Sequence, residues 1–196
     1  MGVEVGAAYL TGLARAQIHK LGSQYVLYYT ASDRSGVLSI GVATSANVHG
    51  PFEDVLAKPL LRHYGNDPLG VIDPSMVVHD GVPHLIWKDD GNAVGMPTPI
   101  WIQELAGDGL SLKGNPHLLI SNDASSWEGG VVEGPWMLHR QGYYYLFYSV
   151  RTHPLPPPRF HKRQRRAPSL FSPRATAACA AGQYLLRRDI LTGRGA

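Results

Sequence analysis

The sequence predicts an all-β protein: an incomplete β-propeller of about two and a half blades, followed by an irregular basic C-terminal tail. Three observations carry that prediction. A run rich in tyrosine and branched residues recurs at 25–30, 83–88 and 143–149, with Leu27, Leu85 and Leu146 in equivalent places 58 and then 61 residues apart. Short strands of this kind, punctuated by Gly, Pro, Asp and Asn at so long a period, are the mark of propeller blades rather than of sandwich hairpins. Two acids stand in matching frames, Asp73 in Val71-Ile72-Asp73-Pro74-Ser75 and Glu133 in Val131-Val132-Glu133-Gly134-Pro135. Nothing in residues 1–150 keeps a helical period.

Taken in order, the first unit offers the tyrosine-rich strand 25–30 and a third-strand candidate at 38–44. The second unit starts at Asp73, turns at His79-Asp80-Gly81, continues through 83–88 and adds 99–105. The third starts at Glu133, turns at His139-Arg140-Gln141-Gly142 and continues through 143–149. Alternating faces suit sheets packed between neighbours, and radial stacking protects the edges that a lone four-stranded sheet exposes. A unit that presents one acid per copy implies acids converging on one point.

Charge divides the chain. Residues 1–150 hold 8 Lys and Arg against 14 Asp and Glu, a net −6, whereas residues 151–196 hold 10 against 1, a net +9. The basic pI therefore belongs to the tail, a Pro- and Arg-rich stretch with no apolar face to offset its ordering entropy. It is expected to be disordered or foreign to the rest of the fold, with a short helix formed by residues 175–181 and the following Tyr184-Leu185-Leu186. A basic run of this sort also matches a nucleic-acid-binding patch, a pattern with a high false-positive rate. The single cysteine, Cys179, excludes a disulfide framework within the chain. Residues 1–17 lack the basic start and apolar stretch of a secretory signal, no stretch approaches the roughly 18 apolar residues of a membrane span, and the compartment stays unassigned. The nine histidines show no metal-ligand spacing, and the glycines around Asn92 lack the strand-to-helix setting of a nucleotide loop.

Ile72-Asp73-Pro74-Ser75, Trp87-Lys88-Asp89-Asp90-Gly91-Asn92, Pro97 through Leu105, Trp127-Glu128-Gly129 and Val132 through Ser149 stand in an order and spacing that together resemble glycoside hydrolase family 43 over residues 18–149. The resemblance implies a five-bladed propeller acting by inversion on arabinose- or xylose-containing plant polysaccharides, with no cofactor and no membrane partner. It makes Glu133 the general acid and Asp73 the aspartate that tunes and orients it, since an acid working near neutral pH needs burial or a neighbouring negative charge. Inversion also needs a base about 6.5 to 9.5 Å from the acid. In the family that base lies in an Asp-Pro motif near the N-terminus, and no such motif precedes the first recognised blade here; Asp33 and Asp54 sit in turn-like stretches. Where the family shows Trp-Ala-Pro-Asp or Trp-Ala-Pro-Glu, this chain reads Ala14-Arg15-Ala16-Gln17, so residues 1–17 read as a divergent segment. Trp127, in a polar loop just before the acid's strand, and Asn92, in the loop resembling the family's pocket rim, are the expected sugar contacts; Trp87, Trp101 and Trp136 are expected to pack blades. Three readings follow: a glycosidase with its base missing, a non-catalytic carbohydrate-binding remnant, and a tail-driven nucleic-acid binder.

Overall fold

A computed structural model describes residues 11–32, 36–63, 69–140, 143–150 and 183–186 of the 196. They form three antiparallel sheets in chain order. The first contains β1 (Thr11–Leu21), β2 (Gln24–Ser32), β3 (Leu38–Ser45) and β4 (Glu53–Asp54). The second contains β5 (Val71–His79), β6 (Val82–Asp89), β7 (Ile100–Leu105) and β8 (Leu112–Ile120), with a 3-10 turn at Gly91–Val94 between β6 and β7. In the third, β9 (Val132–Arg140) and β10 (Tyr143–Val150) are joined by β11 (Gln183–Leu186).

The repeat maps onto this topology directly, because Leu27, Leu85 and Leu146 fall on β2, β6 and β10, the second strand of each sheet. The first strands β1, β5 and β9 contact one another from sheet to sheet, which puts the two acids on adjoining inner strands. The β5–β6 turn shows local sequence dictating register. Asp80 and Gly81 take φ of 48° and 81°, and His79 pairs with Val82, the two-residue turn with both centres left-handed that Asp-Gly favours.

Packing follows the alternation of the strands. Val26, Tyr28, Ile40, Val71, Leu85 and Trp87 join the first two sheets in one buried cluster, and Val77, Ile86, Ile100, Ile102, Met137 and Leu146 join the second to the third. The Tyr28 hydroxyl donates to the Gly109 carbonyl across the first interface at 2.8 Å. Asp89, buried at the end of β6, accepts from the indole N–H groups of Trp87 (3.3 Å) and Trp101 (2.8 Å) and lies 3.1 Å from His63 Nε2. A carboxylate is tolerated there because those partners replace its water.

The region around Tyr184-Leu185-Leu186 corrects one expectation. Gln183–Leu186 pairs antiparallel with β10 instead of forming a helix. A four-residue segment gains ladder hydrogen bonds from the open edge of β10, while a helix that short meets the full nucleation cost. The rest of the basic tail, with Cys179, lies outside the described residues, as does Asp33.

Candidate active site

The first strand of each sheet takes part in a break of register. The shifts fall between Ala14 and Ala16 in β1, between Ile72 and Ser75 in β5, and at Phe147/Ser149 in β10, opposite Trp136 and Glu133 of β9. The residues at these breaks are left-handed: Arg15 has φ 40°, Asp73 56° and Gly134 64°. Bulges re-aim side chains and concentrate next to functional sites, and a left-handed non-glycine residue persists only where its surroundings hold it.

They hold Asp73 from three sides. Its amide, lost to the β5 ladder, donates to Thr30 Oγ1 at 3.2 Å, its Oδ2 accepts the Gly134 N–H at 2.7 Å, and its Oδ1 lies 3.2 Å from Arg15 Nε. Asp73 is 8 % exposed. The two predicted acids are thus brought together, since Asp73 grips the amide of the residue that follows Glu133. On the other flank the Val132 N–H donates to the buried Thr98 hydroxyl at 2.9 Å, and both the amide and the hydroxyl of Thr98 reach Asn122 Oδ1. Side chains from outside β9 therefore clamp the backbone before and after Glu133.

Glu133 itself is about one-third exposed, and its Oε2 lies 3.6 Å from Lys88 Nζ. Lys88 is wholly buried; it also donates to Asn92 Oδ1 at 2.6 Å and Asp90 Oδ1 at 3.2 Å. Asn92 is therefore joined to the acid through an ammonium. Each acid carries its own cation, Arg15 on Asp73 and Lys88 on Glu133.

Trp127 is placed differently. Its half-buried ring stacks on Tyr148 at 6.4 Å and 26° and packs against the cluster joining the second and third sheets. The loop before it is built by Asp123, whose carboxyl accepts from the amide and hydroxyl of Ser125 and is held below the usual range by them. Beyond the ring, buried Glu128 accepts from the Tyr148 hydroxyl at 2.7 Å and from the Asp123 amide at 3.0 Å. Of the other tryptophans, Trp87 is core, Trp101 is anchored on Asp89, and Trp136 is 44 % exposed beside Phe147.

Among the described contacts Asp90 joins Glu133 through Lys88, and no carboxylate touches Asp73. Asp54 lies on β4, where it accepts the Tyr29 hydroxyl at 2.5 Å, with the desolvated phenol pushed up in pKa. The place in the first sheet equivalent to Asp73 holds Arg15, each standing 12 residues before its leucine, Leu27 or Leu85. That equivalence, with Lys88 directly after the apolar run Leu85-Ile86-Trp87, was the sequence signal for both cations. Nothing comparable marks Thr98 or Asn122.

The first strands of the three sheets bulge around Arg15, Asp73 and Gly134, and comparison with known proteins gives the family. The profile of glycosyl hydrolases family 43 matches residues 14–178, and the chain belongs to that family. The match extends to both sides of 18–149. Among curated relatives, the β-D-galactofuranosidase xynD of Aspergillus niger (strain ATCC MYA-4892 / CBS 513.88 / FGSC A1513) is 32% identical over 130 residues, covering 64% of this chain and 33% of its own length. A thermostable family-43 glycoside hydrolase is similar in structure, with TM-score 0.63, 28% identity, and coverage of 71% of this chain and 46% of that one. An endo-1,4-beta-xylanase from Bacteroides thetaiotaomicron gives TM-score 0.60 and 28% identity over 76% of this chain and 49% of its own. The chain thus spans a third of the curated relative and just under half of these structures.

Proposed function

We propose that this chain carries the acid half of an inverting glycoside hydrolase site acting on arabinose- or xylose-containing plant polysaccharides, within a fold whose three sheets are successive blades of a five-bladed propeller. The observation that supports it is the hydrogen bond from the Gly134 amide to Asp73 Oδ2, which couples the strands that carry the two acids in matching frames. In this reading Glu133 gives its proton to the glycosidic oxygen as the C–O bond breaks. Asp73 fixes the acid's backbone, and Trp127 and Asn92 line the sugar site. Water adds to the anomeric carbon from the opposite face and loses its proton to a carboxylate base, a group that neither Asp73 nor Glu133 supplies.

Arg15, which stands in the first sheet where Asp73 stands in the second, favours one alternative, a carbohydrate-binding remnant without turnover. Hydrolysis of 4-nitrophenyl α-L-arabinofuranoside and 4-nitrophenyl β-D-xyloside separates the two. Release of nitrophenol that falls by about 10²- to 10⁴-fold in Glu133→Gln supports the hydrolase. Binding of arabino- or xylo-oligosaccharide without release, weakened by Trp127→Ala, supports the remnant.

A further inference from the structure

We propose that Lys88 is a positioning residue for Glu133, a buried ammonium that fixes one oxygen of the candidate acid and steadies the carboxylate left behind when the proton departs. The proposal rests on the reading of Glu133 as the acid and adds a residue to it.

Burial is the first argument. A wholly buried lysine costs several kcal/mol unless its charge is paired, and an apolar side chain would fill the same place in the strand without that cost. Lys88 has paired its charge, with Asp90, Asn92 and Glu133 as acceptors. Asp90 alone balances the ammonium, so Glu133 can pass between acid and carboxylate without leaving Lys88 as an unpaired buried cation.

The repeat gives the second argument. Lys88 stands three residues after Leu85, and Thr30 stands three residues after Leu27. Thr30, on the second strand of the first sheet, reaches the amide of Asp73 in the second sheet; Lys88, on the second strand of the second sheet, reaches the side chain of Glu133 in the third. One place in the repeat thus supports the acid of the following sheet in both instances. In the second instance that support falls on the carboxyl group itself.

The chemistry follows from the two oxygens. Glu133 Oε2 faces the ammonium, while Oε1 has no partner among the described residues. The proton on the outward oxygen passes to the glycosidic oxygen, the C–O bond breaks toward that oxygen, and the negative charge left on Glu133 meets a cation 3.6 Å away.

The test has two arms on the full chain. In the first, protein labelled with 15N-lysine is observed at neutral pH, where exposed ammonium protons exchange with water too fast to be seen and a buried, hydrogen-bonded ammonium persists. One ammonium signal, assigned by its loss in Lys88→Met, is expected, and Glu133→Gln should displace it. A signal that ignores Glu133→Gln overturns the linkage. In the second arm, Lys88→Met should lower kcat by about 10²-fold on 4-nitrophenyl arabinofuranoside and change little on the 2,4-dinitrophenyl analogue, whose leaving group needs no proton. Equal loss on both overturns the positioning role. Absence of turnover in the unmodified chain overturns the hydrolase reading instead, and the ammonium signal then decides the linkage by itself.

Discussion

Asp73 combines a left-handed backbone with a contact to the next sheet in one residue. A left-handed backbone costs an ordinary L-residue roughly 1 kcal/mol or more, and Asp73 holds one at φ 56° while its carboxylate accepts a backbone amide from the next sheet. Asparagine tolerates that region and keeps an acceptor oxygen; alanine does neither. Asp73→Ala is therefore expected to lower unfolding stability by about 2–3 kcal/mol in urea titrations, through backbone strain and an orphaned amide. Asp73→Asn should cost clearly less. Equal losses would mean that the Gly134 hydrogen bond carries no weight. Gly134 has its own constraint, since a Cβ there would meet Arg15 Nη1 at 2.4 Å at a φ of 64°.

At the scale of strands, the legible part was what repeats. The apolar–aromatic runs located β2, β6 and β10, and the third strands β3 and β7 followed within a residue. The acids were found because they share a frame. What alternation cannot register is the bulge, which adds a residue without altering composition, so the local turn of Arg15 and Asp73 toward each other was invisible. Thr98 and Asn122 act through backbone atoms of distant residues, and no spacing records such contacts. The pairing of Gln183–Leu186 with β10 depends on an edge more than 30 residues away.

Two predictions belong to elements. Gly81→Ala in the β5–β6 turn, at φ 81°, should cost about 1 kcal/mol, read as a lower urea midpoint with unchanged slope. Asp89→Ala removes the acceptor of the buried Trp87 indole and of the part-buried Trp101 indole. It should cost about 3 kcal/mol, consistent with roughly 1–3 kcal/mol per unsatisfied group, and shift tryptophan emission; unchanged emission would contradict the anchoring of Trp87 and Trp101.

Over the whole molecule the clearest expectation concerns acid. Burial lowers the pKa of His19 and of His84; Glu104 and the Val82 carbonyl pull His84 back upward, while His79 and His117 push it further down. A histidine whose folded pKa lies below its unfolded value near 6.5 binds more protons when unfolded. Its contribution to stability is complete above about pH 6.5 and is lost as pH falls through the folded value. The melting temperature should therefore drop between about pH 7 and pH 5, and His19→Gln/His84→Gln should flatten that slope. A slope unchanged in the double variant would assign acid sensitivity to other groups.

The clamp on either side of Glu133 ties its position to the fit between wedges of the molecule. Both grips, Thr98 on one amide and Asp73 on the other, reach across from the neighbouring sheet, so the acid rides on that junction and not on its own strand alone. A methyl group trimmed from Val77 or Ile86, in the interior joining those sheets, is expected to let one wedge settle against the other and to shift Glu133 with it.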